Sequence, residues 1–144
     1  MRVLVIHGPN LNLLGDREPE IYGTLSLADV NELIASSAAD LGLQVRCEQY
    51  NGEGQIVDAI HDARSSADAI VINPGAYSHY SYAIADAIKS VAIPTIEVHL
   101  SNIHARDEFR RTSVTAAGCR GTIGGFGALS YVLALHSVAK MLEE

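Results

Sequence analysis

Tryptophan is missing from this 144-residue chain, and cysteine and lysine each occur only twice. Cys47 and Cys119 stand too far apart to form a metal knuckle or a CxxC redox pair, so two free thiols are expected. Lys89 and Lys140 fall inside predicted helices, which leaves Schiff-base chemistry without an obvious nucleophile. Positive charge is in deficit: ten Lys plus Arg face 17 Asp plus Glu, a formal net charge of −7. That balance argues against sequence-independent nucleic-acid binding, which rests on phosphate neutralisation by basic side chains. It leaves room for a small anionic ligand held by a few arginines. No apolar run approaches the roughly 20 residues of a membrane span. The opening Arg2-Val-Leu-Val-Ile6 lacks the basic, apolar and small-residue regions of a signal peptide, so no membrane partner and a cytoplasmic location are expected. No His/Cys/Asp cluster has metal-ligand spacing, and neither a Walker loop nor GxGxxG is present, so neither a metal nor another cofactor is expected.

What the chain does have is apolar residues, 48% against 19% charged, too hydrophobic a balance for disorder. With no repeat or linker, residues 1–144 read as a single domain. The hydrophobic period switches repeatedly. Arg2–Ile6 is a β-branched run. Ser26 to Gly42 places Leu27, Val30, Ile34, Ala38 and Leu41 on one helical face, with Ser26 and Asp29 as a capping pair and Gly42 at a left-handed stop. Leu43–Tyr50 reads as a strand, then Gln55–Ser66 as a helix with Val57 and Ile60 inward. Ala69–Asn73 is a third strand, Tyr80–Val91 a helix, and Ile93–His99 a strand entered at Pro94. Gly121–Gly124 and an apolar helix over Gly127–Glu143 complete the pattern. Such alternation implies right-handed crossovers and a flavodoxin-like doubly wound α/β fold, a five-stranded parallel sheet with helices on both faces.

Ligands of open α/β sheets bind beyond the carboxyl ends of the strands. Those ends carry His7-Gly8-Pro9-Asn10, Tyr50-Asn51-Gly52, Asn73-Pro74-Gly75 with Ser78-His79, and Glu97-Val98-His99-Leu100-Ser101-Asn102. Asn51 or Asn73 alone is equally well read as a turn former. In Glu97-x-His99, alternation points both side chains to one face of the strand, where a carboxylate orients the imidazole and stabilises its protonated form. The stretch from Gly8 to Leu25 is too long for a simple turn and reads as a structureless lid carrying Arg17 and Tyr22. A solvated Arg and a packed Tyr are the plain alternative. A guanidinium near a phenol favours the phenolate, and bringing an ordinary phenol to ionise at neutrality takes roughly 4 kcal/mol. Downstream, Arg106, Arg110 and Arg111 cluster, either as a charged helix start with Asp107–Arg111 pairing or as a carboxylate clamp. Spacing alone leaves open which arginine faces inward.

Five segments together resemble type II 3-dehydroquinate dehydratase: Gly8-Pro-Asn-Leu-Asn-Leu-Leu-Gly15, Arg17-Glu-Pro-Glu-Ile-Tyr-Gly23, Ile72-Asn-Pro-Gly-Ala-Tyr-Ser-His79, Ile96-Glu-Val-His-Leu-Ser-Asn102 and His104-Ala-Arg-Asp-Glu-Phe-Arg110. They occur in order, and the resemblance extends over essentially the whole chain without a large gap. The resemblance implies a lyase of the shikimate or quinate pathway that dehydrates 3-dehydroquinate to 3-dehydroshikimate by anti elimination through an enolate. It implies that Tyr22 is the base, Arg17 its activating cation, His99 the acid held by Glu97, and Asn10 the holder of a water at the enolate oxygen. It further implies that Asn73, His79, the backbone around Leu100 and Ser101, and Arg110 bind substrate. Asp86 would then reach a neighbouring site in a homododecamer built from trimers. Against the family pattern, Asp16 precedes Arg17, where an inward carboxylate would weaken the pull on Tyr22. Tyr80 and Tyr82 stand where smaller residues are expected, Asn51-Gly52-Glu53-Gly54 is glycine-rich enough to loosen its loop, and Ser130 replaces a frequent Gly.

Two other classes share some of these features. A non-catalytic flavodoxin-like module shares the strand-end polarity but leaves Arg17, Tyr22, Glu97 and His99 together unexplained. A hydrolase using Ser101 with His99 and Glu97 lacks the GxSxG elbow.

Overall fold

Alternation along β1 (Arg2–His7) decides how the sheet is covered. Val3 and Val5 join one apolar cluster and Leu4 and Ile6 another, all four at 2% exposure or less. The computed structural model describes residues 1–144, and β1 is the second strand of a five-stranded parallel sheet. The others are β2 (Gln44–Gln49), β3 (Ala69–Asn73), β4 (Thr95–His99) and β5 (Gly121–Gly124), in the order β2-β1-β3-β4-β5. That order reverses beside β1, as the doubly wound reading requires.

Helices cover both faces. Beside α1 (Pro19–Tyr22), the larger helices are α2 (Leu27–Asp40), α3 (Glu53–Ser66), α4 (Tyr82–Val91) and α5 (Leu129–Glu143). Val30, Ile34 and Ala38 of α2 pack with Tyr131, Ala134, Leu135 and Val138 of α5 on one face. Ile56, Ala59, Ile60 and Ala63 of α3 pack with Ile84, Ala87 and Ile88 of α4 on the other. The inward stripe of α3 is therefore built on Ile56 and Ala59 beside Ile60, while Val57 is only half-buried at its margin. No helix is long and apolar enough to cross a membrane.

Local signals explain the boundaries. Ser26 Oγ accepts from Asp29 N–H and the Asp29 carboxylate accepts from Ser26 N–H, a reciprocal cap that starts α2. Gly42, at φ +70°, ends it. The glycine-rich turn at Asn51 to Gly54 is firm: Gln55 Oε1 accepts from Gly52 N–H, and α3 starts at Glu53, two residues earlier than the hydrophobic period indicates. Gly8 is demanded by a close approach, since a Cβ there would lie 2.7 Å from the Asn73 carbonyl oxygen and Pro74. It brings the tips of β1 and β3 together. Ser130 is buried and its hydroxyl accepts from Phe126 N–H at 3.2 Å, which ties the turn before α5.

Candidate active site

The segment from Gly8 to Leu25 carries more structure than its length suggests. A 3-10 turn spans Leu11–Leu13, with Leu11 and Leu14 buried, and α1 follows from Pro19. Asn10 and Glu18 adopt left-handed backbone at φ 68° and 34°, the second an uncommon conformation for Glu. This geometry bends the chain back so that Arg17 and Tyr22 meet. Arg17 Nη2 donates to Tyr22 Oη at 3.1 Å, and its guanidinium lies over the ring, 4.3 Å from the centroid. Asp16 is exposed and pairs with no cation, so it does not compete for Arg17.

A second arginine reaches the same oxygen. Arg106 Nη1 donates to Tyr22 Oη at 2.8 Å and lies 3.5 Å from Ser101 Oγ. Sequence reasoning counted Arg106 within the downstream cluster without giving it a role. The segment is not a helix start but two 3-10 turns, Ile103–Ala105 and Glu108–Arg110, so helical spacing could not sort the arginines. The expected Asp107–Arg111 pair is absent; Asp107 instead lies 4.0 Å from Arg110. Arg111 donates to the Arg106 carbonyl and lines a different hollow.

Two contiguous hollows meet here. An open groove of about 610 Å³ and a narrow cleft of about 40 Å³ share Tyr22, Leu100, Ser101 and Arg106 as their dividing wall. The chemistry gathers in the narrow one, which is also lined by Asn10, Arg17, Asn73, His79, His99 and Arg110. Ten of the eleven expected site residues are thus accounted for in or behind the cleft, with Glu97 behind His99. Asp86 is the exception: it is exposed on α4 and lines no hollow of its own chain. Asn51 is a loop clamp, since its carboxamide oxygen accepts from Asn10 N–H and from Gln49.

Every residue of β4 is buried, and Glu97 and His99 share a face as alternation requires. His99 Nε2 donates to Glu97 Oε2 at 2.7 Å, leaving Nδ1 without a protein partner. Burial alone would push the Glu97 carboxyl up. Hydrogen bonds from His99, Ser113 and Thr115, with the His99 charge, outweigh it and hold the carboxyl below its ordinary range. Ser113 and Thr115 lie in and beside the 3-10 turn Thr115–Gly118, in a stretch without periodic signal, and only their shared contact with Glu97 reveals them. Ser101 has no hydrogen bond to His99, so the hydrolase arrangement is not formed.

The remaining polar groups suit an anionic, hydroxylated ligand. His79 Nδ1 donates to the Thr112 carbonyl at 2.8 Å, and burial lowers its basicity. Arg110 Nε is buried and has no hydrogen-bond partner, an orphan donor in the cleft wall. Burial pushes the thiols of Cys47 and Cys119 up to about 11 and about 12, which makes them poor nucleophiles.

The family described as dehydroquinase class II matches residues 1–139. The chain is 59% identical over 143 residues to a 3-dehydroquinate dehydratase of Caldicellulosiruptor bescii, covering 99% of each. It is 56% identical over 143 residues to one of Caldanaerobacter subterraneus subsp. tengcongensis, covering 99% of this chain and 96% of the relative. Among solved structures, the type II dehydroquinase of Butyrivibrio crossotus superposes with a TM-score of 0.94 at 48% identity, covering 96% of this chain and 97% of that one.

Proposed function

The chain belongs to the class II dehydroquinase family, and we infer from this that it is a 3-dehydroquinate dehydratase, a lyase converting 3-dehydroquinate to 3-dehydroshikimate in the shikimate pathway. The observation that carries a mechanism is the convergence of Arg17 and Arg106 on the Tyr22 oxygen, in the same cleft as His99.

Two guanidinium donors directed at one phenol oxygen stabilise negative charge there. Tyr22 therefore acts as a phenolate and takes the proton from the carbon α to the ketone. The electron pair left behind forms an enolate, whose oxygen is met by a water held at Asn10. His99, as imidazolium stabilised by the Glu97 carboxylate, delivers a proton from Nδ1 to the departing hydroxyl. The C–O bond breaks, the enolate collapses to the enone, and water leaves. Arg110, which lines the cleft, offers its guanidinium to the substrate carboxylate, while Asn73, His79 and the backbone around Leu100 and Ser101 hold the hydroxyls. The narrowness of the cleft supports an opening role for the segment carrying Arg17 and Tyr22, because Arg17 lines the cleft and Tyr22 forms part of the wall it shares with the larger groove.

Exposed Asp86 serves a neighbouring subunit's site, within a homododecamer made of trimers, and exposed Tyr80 and Tyr82 flank that contact. Residues 1–144 act as one catalytic domain, in the cytoplasm. Incubation of the purified protein with 3-dehydroquinate, without added metal or nucleotide, should produce the absorbance of a conjugated enone. No absorbance change, or loss of activity with a chelator, would overturn the reading.

A further inference from the structure

Beneath the cleft, Asn73 of β3 is joined by hydrogen bonds to a chain of three polar side chains from β1, α2 and α5 that the mechanism above does not use. His7 and Tyr131 are wholly buried and Asn73 is 3% exposed. Asn73 Nδ2 lies 3.2 Å from Tyr131 Oη, which lies 2.9 Å from His7 Nδ1; His7 Nε2 lies 2.8 Å from Asn31 Oδ1.

One end fixes the direction of the whole chain. Gly75 N–H can only donate, and its partner at 3.1 Å is the Asn73 carboxamide, so Oδ1 faces Gly75 and Nδ2 faces Tyr131. Tyr131 Oη then accepts from Asn73, and its own proton must go to His7 Nδ1. That nitrogen is bare, so a neutral His7 carries its proton on Nε2 and donates it to Asn31 Oδ1. The opposite polarity would leave the Tyr131 hydroxyl proton facing donors on both sides in a dry interior.

We propose that His7 and Tyr131 are positioning residues, which lock the Asn73 carboxamide so that its second N–H is presented to a substrate hydroxyl in the cleft. This rests on the reading that the cleft binds 3-dehydroquinate. Burial, which lowers His7 to about 4, agrees with a neutral ring at working pH.

Two measurements test it. With ¹⁵N-histidine in the intact enzyme, the His7 ring should show a protonated Nε2 and a bare Nδ1, assigned by the shift of Nδ1 in Tyr131→Phe. A protonated Nδ1 would overturn the proposal, whatever the substrate. In steady state, Tyr131→Phe should raise KM about tenfold with little change in kcat, because a lost anchor on Asn73 weakens uniform binding. In the Asn73→Ala background the same change should add less than about twofold, since the group it positions is gone. A Tyr131→Phe effect that stays about tenfold in the Asn73→Ala background would mean that Tyr131 acts by packing alone. A wild-type enzyme inert toward 3-dehydroquinate would overturn the functional reading, while the imidazole spectrum would still decide the network.

Discussion

Arg106→Met is the most informative single change, because it removes a charge that sequence spacing did not identify and leaves an apolar stem of similar length. The guanidinium nitrogen lies 2.8 Å from Tyr22 Oη. With its charge centred about 4 Å from the oxygen, Coulomb attraction to a phenolate is about 4 kcal/mol at an effective dielectric near 20. Arg106 is half-buried, so solvent screening takes roughly half of this, leaving about 2 kcal/mol, or a factor of about 30 in kcat. Arg17 remains over the ring, so turnover should fall rather than vanish. Initial rates of enone formation across a substrate series separate kcat from KM. A kcat loss below about threefold, under ~0.7 kcal/mol, with a large rise in KM would refute the reasoning and make Arg106 a substrate clamp.

Four further outcomes are expected. Arg110→Ala should raise KM roughly 10–100-fold, the scale of one charge-assisted hydrogen bond, and an unchanged KM would move the carboxylate clamp to another arginine. His99→Ala should lower kcat by about 10²–10⁴ and also weaken binding; normal kinetics would reassign the proton donor. Thr115→Val removes one of the donors that offset the burial of Glu97 and should lower kcat by roughly tenfold, tested by kinetics beside a thermal melt that shows the fold intact. His7 should make stability fall with acid. Its folded value of about 4 lies below its ordinary 6.5, so the unfolded chain binds the extra proton. The contribution is whole above pH 6.5 and is lost progressively toward pH 4, about 3 kcal/mol in all. Denaturant midpoints of wild type and His7→Asn should therefore diverge in slope between those pH values, and parallel curves would contradict the assignment.

The regular elements were legible because their signals are local. Alternation in β1 and β4, the Ser26–Asp29 cap and the Gly42 stop each act within a few residues, and all five strands and the four larger helices exist as read, although α3 starts two residues earlier and α4, β4 and α5 each start two residues later than the hydrophobic pattern places them. The Glu97–His99 pair was legible for the same reason, since a strand period of two is short and strict. Elsewhere the information is tertiary. Ser113, Thr115 and Arg106 sit in irregular or 3-10 segments with no side-chain period, and their partners lie in other parts of the chain. Tyr131 lies 124 residues from His7, and on sequence alone it is one more apolar-face residue of α5. Val57 shows the same limit in miniature: the period of α3 is right, but packing against α4 selects Ile56 and Ala59 as its buried stripe.

Proton removal by Tyr22 is tested most directly with 3-dehydroquinate deuterated at the carbon α to the ketone. Tyr22→Phe keeps the ring and removes only the oxygen, so product-analogue binding should persist while release of the label to solvent stops, whereas wild type releases it during turnover. Label release by the variant at the wild-type rate would contradict the account.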